Sequence, residues 1–255
     1  MTSEADPGDS YRRQLVYADE VGTLTPHYQA YGSLWLPWER RGDFAKLIRE
    51  AGAAHHVSGQ LSSLRHKPEA SAFFLALIDE IFRRRWISFR SVITPAPLDT
   101  ELKEKVFSAL ISERVKALPR AAVERELRVR LTKNARTKVS GLKLEDHYFR
   151  RIRADLEGAS PPELTVRAAR STEGLEIVDL LLSLVLADWE KKSIPKERRG
   201  LHERVAENLG WADLAADTLP AEWKFNIWYL EHPESLRREA KTQRAVQLRL
   251  PMIDG

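Results

Sequence analysis

Two pairs of acids are set apart in this chain by their neighbours. Asp19 and Glu20 follow the strand-like run Leu15-Val16-Tyr17-Ala18, and Gly22 comes just after them. Acids are depleted from strand interiors, so two of them closing such a run place charge at the edge of a sheet. The second pair, Glu176 and Asp179, lies in the apolar stretch from Gly174 to Trp189. Spacings of three and four put Glu176, Asp179 and Ser183 on one narrow stripe of a helix. Most of the remaining positions are apolar, so most of this helix is buried. A buried carboxylate is costly unless it is paired, hydrogen-bonded or bound to a metal, and the stripe carries no cation. Two acids from a strand end and two from a buried helix make a suitable oxygen cage for Mg²⁺ or Mn²⁺. Two such ions side by side stabilise the attacking and leaving oxygens of a phosphodiester. The plainer alternatives are a solvated turn for Asp19-Glu20 and a solvent-facing line for the helix stripe.

A cluster of cations supports the first reading. Arg128, Arg130, Lys133, Arg136 and Lys138 begin a basic segment that runs on to Arg153 and is interrupted only by Glu145 and Asp146. The formal net charge is only +4, so distribution matters more than total. A concentrated basic segment is the footprint of a phosphate-binding surface, and its alternative is a solvated Lys/Arg face.

These residues need a scaffold of strands and helices. The 255-residue chain is 43% hydrophobic and 31% charged, enough for one large domain with a sizeable core. It has no cysteine, which excludes disulfides, thiolate zinc sites and a cysteine nucleophile. The longest apolar run is too short to span a bilayer, so no membrane association and a cytoplasmic location are expected. Strands are expected over Arg13–Val21, Tyr28–Leu36, His55–Leu61, Trp86–Thr94, Arg128–Thr132 and Leu164–Ala168. Helices are expected over Gly42–Ala51, Pro68–Arg85, Thr100–Glu126 with a break at Pro119, Leu142–Leu156 and Gly174–Trp189. Strands come first and then alternate with helices, which means an α/β fold with a mixed sheet and helices packed on its faces. Residues 1–12 read as a loose arm and 13–190 as the main domain. Lys191–Gly200 reads as a charged connector. Residues 191–255 read as a small C-terminal α/β appendage packed on the domain, with two short helices, a Trp-containing strand over Trp223–Tyr229 and a last helix before Pro251.

Asp19-Glu20-Val21-Gly22 after a first strand resembles the Asp-Glu-Ser-Gly signature of the bacterial family known as domain of unknown function 3800. Gly174-Leu175-Glu176-Ile177-Val178-Asp179 is similar to its later Gly-Leu-Gln-x-x-Asp helix. Phe225-Asn226-Ile227-Trp228 looks like the strand that often follows. The resemblance covers roughly residues 13 to 230 through short motifs. It implies a ribonuclease H-like fold and a metal-dependent nuclease site, with Asp19, Glu20 and Asp179 in the acid positions. Val21 replaces the usual serine, and Glu176 replaces the usual glutamine, adding a potential ligand. Where the family often has an acid after the middle strand, this chain has Asn134, which coordinates through a carbonyl oxygen but brings no charge.

The leading expectation is a nuclease that uses Mg²⁺ or Mn²⁺ on DNA or RNA. Asp19 and Asp179 would hold the metal, and Glu20, Glu176 and Asn134 would complete the ligand set. Arg128, Arg130, Lys133, Arg136 and Lys138 would hold the nucleic acid. A bacterial defence or toxin–antitoxin setting would suit such an activity. One alternative is a catalytically degenerate member that binds nucleic acid or protein. Another is an interaction protein, a homodimer or heterocomplex, working through the appendage. His55-His56 is a lesser candidate as a base or phosphate contact, and Trp35 and Trp38 are lesser candidates for base stacking. No Gly-x-Ser-x-Gly elbow or Gly-x-x-x-x-Gly-Lys loop is present, which disfavours serine hydrolase and ATPase chemistry.

Overall fold

The chain reverses its direction of travel around its first strand, β1 (Arg13–Val21). The computed structural model describes residues 13–21, 27–64, 67–117, 126–132, 144–156, 163–169, 172–191 and 196–236. β2 (Tyr28–Pro37) pairs antiparallel with β1, and β3 (Ser88–Pro95) pairs antiparallel with β2. β4 (Glu126–Thr132) returns to the other side of β1 and runs parallel to it. β5 (Glu163–Ala169) lies parallel beyond β4, and β6 (Phe225–Tyr229) lies parallel beyond β3. The six-stranded order is β5-β4-β1-β2-β3-β6, so the fold is α/β with a mixed sheet. Residues expected as an appendage thus supply the outer strand of this same sheet.

Side chains alternate between the two faces. Leu15 enters the core on one face, with Tyr17 and Val21 packed against it, while Val16 and Ala18 enter the core on the other. The first face is covered by α1 (Arg41–Ala54), the short α2 (Leu61–Leu64), α3 (Ser71–Arg83), α6 (Glu173–Trp189) and α7 (Lys196–Leu209). The second is covered by α4 (Thr100–Ala117) and α5 (Leu144–Asp155).

α6 is the central helix of the first face. Thr172 caps it, its hydroxyl oxygen accepting from the Leu175 amide. Eleven of its residues are buried, and each large aliphatic side chain among them contributes about 1.5–3 kcal/mol. Only Glu173, Glu176, Asp179, Ser183, Ala187 and Asp188 escape full burial, which reproduces the expected polar stripe. Two glycines let the helix approach the sheet. A Cβ on Gly174 would lie 2.5 Å from ring carbons of Tyr17 on β1. A Cβ on Gly32, the β2 residue opposite Asp19, would meet Leu182 at 3.1 Å and Val178 at 3.3 Å.

Two expectations are corrected. His55–Leu61 is not a strand. His56 takes a left-handed conformation (φ 54), the His56 amide donates to Ala53 O at 3.2 Å, and the Val57 amide donates to Gly52 O at 2.8 Å. This is a Schellman closure of α1, a motif that a histidine pair does not advertise. The charged stretch Lys191–Gly200 is helical from Lys196 onward, because Lys, Glu and Arg are good helix formers. The arm, the break at Pro119 and the last helix before Pro251 lie outside the described residues.

Candidate active site at the carboxyl ends of β1 and β4

β1 has an antiparallel neighbour on one side and a parallel one on the other. Ligand sites of open α/β sheets form beyond the carboxyl ends of parallel strands, which here are those of β1 and β4. Ala18 pairs with Leu131, so the next residues, Asp19 and Thr132, lie side by side where β1 and β4 end. Asp19 belongs by parity to the α6 face. One of its oxygens accepts the Glu20 amide at 2.8 Å, and the Thr132 hydroxyl donates to the same carboxylate.

Despite these two donors the Asp19 carboxyl is pushed up to about 7. Burial is the largest cause, and the negative charges of Asp179 and Glu20 add to it. Asp179 is therefore brought into electrostatic range of Asp19. The strand-end acid and the helix acid, 160 residues apart in sequence, feel each other's charge. Glu176 lies one turn earlier on the same half-buried stripe of α6.

Glu20 takes the opposite face. Burial first, and then the charge of Glu20, raise the phenols of Tyr31 and Tyr148 above the ordinary tyrosine value. Both rings belong to the α4–α5 core. A recess at the strand ends is lined by Ala18, Asp19, Glu20, Leu131, Thr132 and Tyr148, among others, so both acids reach it from opposite sides. Among the described residues, no three acids or histidines form a ready metal cluster. Of the four expected acids, Asp19 and Glu20 line this recess from the two faces of the sheet, and Asp179 reaches Asp19 through its charge. The pleat explains this, because consecutive strand residues point to opposite faces.

Of the expected cations, Arg128 and Arg130 lie on β4, on the α6 face. Arg128 pairs with Glu126 at 2.5 Å, and its guanidinium lies 3.9 Å from the ring centre of Trp38. Arg41 stacks on the same ring at 4.2 Å, so Trp38 holds arginines here. Trp35 is buried, with its indole N–H donating to Ser33 Oγ at 2.9 Å. Lys133, Asn134, Arg136 and Lys138 lie outside the described residues. His55 and His56 cap α1 and do not line the recess.

Thr132, Tyr148 and Arg167 were not singled out from the sequence. Thr132 and Arg167 acquire their places only through the parallel pairing of β1, β4 and β5, and Tyr148 only through the packing of α5. No helix among the described residues is long and apolar enough to cross a membrane. Searches against protein-family models and against curated proteins find no match to this chain.

Proposed function

We propose that this protein is a divalent-metal-dependent nuclease with a ribonuclease H-like fold. The inner strand order β3-β2-β1-β4-β5, an antiparallel meander followed by two parallel strands, supports the fold. The short motifs around Asp19 and Asp179 support it as well. The observation that carries the activity is the placement of Asp19 in a recess at the carboxyl ends of β1 and β4, within electrostatic reach of Asp179 on α6. A carboxyl perturbed by burial and by a second acid, set in a strand-end crevice, supports the reading of a functional site.

The donors present fit Mg²⁺ or Mn²⁺, since hard carboxylate oxygens suit hard cations and a cation would relieve the Asp19–Asp179 repulsion. Asp19 and Asp179 would hold the ion directly, with Glu176 as a further ligand or water-orienting group. A bound divalent ion supplies Lewis acidity towards a phosphodiester. The chain's own residues do the positioning. The Glu20 amide and the Thr132 hydroxyl fix the Asp19 carboxylate, and Thr172 together with the two contact glycines fixes the helix that carries Asp179. Glu20 and Tyr148 border the far side of the recess, where they orient water or substrate.

The test is cleavage of labelled DNA and RNA in Mn²⁺. Asp19→Ala and Asp179→Ala are each expected to lower the rate by about 10³, which corresponds to roughly 4 kcal/mol of transition-state stabilisation. Unchanged rates in both variants would sink the assignment.

A further inference from the structure

Among the described residues, the α6 face of the sheet is only partly covered. α6 lies over β1 and β2, while Leu127, Val129, Leu131 and Val166 point to the α4–α5 side. The alternate residues Arg128, Arg130, Thr165 and Arg167 therefore face away from that core. With Trp38 and Glu126 at one end they line an open trough. Arg130 and Arg167 are register partners on adjacent parallel strands, about 4.8 Å apart along the sheet. Like charges placed directly opposite each other destabilise a sheet. Arg128 differs from them, because Glu126 and the Trp38 ring already hold it. The acids paired in the same two strands, Glu126 and Glu163, lie at their amino ends. Positive charge is thus concentrated in the middle of the trough. Beyond Arg130 the next residue of β4 on this face is Thr132, which lies beside Asp19.

We infer that this trough is the track for a single nucleic-acid strand, with Arg130 and Arg167 holding its phosphates as it runs toward Asp19. The placement of its end at a cleavage site rests on the nuclease reading above. Charge complementarity selects a polyanion, and a groove that follows the backbone is how single strands are held. The width selects one strand over two. From β1, where the α6 wall stands, to β5 is about 10 Å of sheet, and a duplex is too broad to reach the β4 arginines beside that wall.

The test is fluorescence anisotropy with the full chain in EDTA. The probes are a labelled strand of about 20 nucleotides and the matching duplex. Wild type is expected to prefer the single strand. The double variant Arg130→Gln/Arg167→Gln is expected to bind it at least about tenfold more weakly, with a log–log salt slope shallower by about 1.4. Arg83→Gln/Arg204→Gln, on α3 and α7, serves as the control and should bind like wild type. Thermal melts of both variants verify folding, and Arg167→Gln alone, at an exposed edge position, repeats the test if the double variant unfolds. Equal affinity for duplex and single strand, or unchanged binding in the trough variants, would overturn the track. Cleavage in Mn²⁺ is scored separately. A wild type that binds through the trough but never cuts sinks the nuclease reading and leaves the track standing. A wild type that cuts while the trough variants bind normally does the reverse.

Discussion

The sheet carries concentrated polar groups at two places, and they are built on opposite plans. On β6, at one edge, Asn226 is buried with its needs met inside the fold. Its amide donates to Thr218 Oγ1 and to Leu219 O, each at 2.9 Å, and its oxygen accepts from Arg90 at 3.5 Å. Next to it Lys224, whose ammonium burial lowers to about 8, donates to the carbonyls of Ile81, Arg84 and Ile87 at 2.6, 2.8 and 2.7 Å. At the carboxyl ends of β1 and β4, Asp19 is also substantially buried, yet its neighbour Asp179 carries the same charge. The first arrangement satisfies donors with acceptors and joins elements. The second brings like charges within electrostatic reach of one another at the end of two strands. The two places differ in the sign of the charged neighbour.

That contrast makes predictions that can break it. The largest effect is expected at Asn226. Asn226→Ala leaves Thr218, Leu219 and Arg90 short of partners in the interior and should cost about 2–4 kcal/mol in urea unfolding. A loss below about 1 kcal/mol would mean that this network does not hold the edge strand. The opposite sign is expected at Asp19. Its carboxyl, ordinarily at 3.8, is held at about 7 in the fold. Between those values the folded protein keeps a proton that the unfolded chain releases, so stability falls as pH rises across that window. Asp19→Asn removes this penalty. In EDTA it should be more stable than wild type by roughly 1–2 kcal/mol above pH 7, discounted for partial exposure, and no more stable below about pH 4. A variant that is less stable at both pH values would end the contrast. The smallest effect is expected at Thr132. Thr132→Val deletes one donor to Asp19 and should raise that carboxyl by less than about one pH unit, read from its ¹³C shift on titration. A downward move would place the hydroxyl elsewhere.

Much of this was legible in residue pattern. The stripe at Glu176, Asp179 and Ser183 is written in helical spacing, and the structure leaves those positions half-buried on an otherwise buried helix. Asp19 and Glu20 were legible as a strand end. Their assignment to one cage overlooked the two-residue pleat that sends Glu20 towards Tyr31 and Tyr148. The pairing of Arg130 with Arg167 was not legible, because parallel register is a non-local property that neither strand encodes alone. His55-His56 misled for a local reason. A non-glycine residue in the left-handed region closed α1 where a strand was expected.

The two glycines beneath α6 have a consequence for the acids. Gly174 stands against the Tyr17 ring and Gly32 against Val178 and Leu182, so missing methyl groups set how low the helix rides on β1 and β2. The spacing between the Asp19 and Asp179 carboxylates is therefore gauged by uncharged positions. A methyl group added at either glycine would act as a shim, retuning the reach of the acid pair while leaving both acids in place.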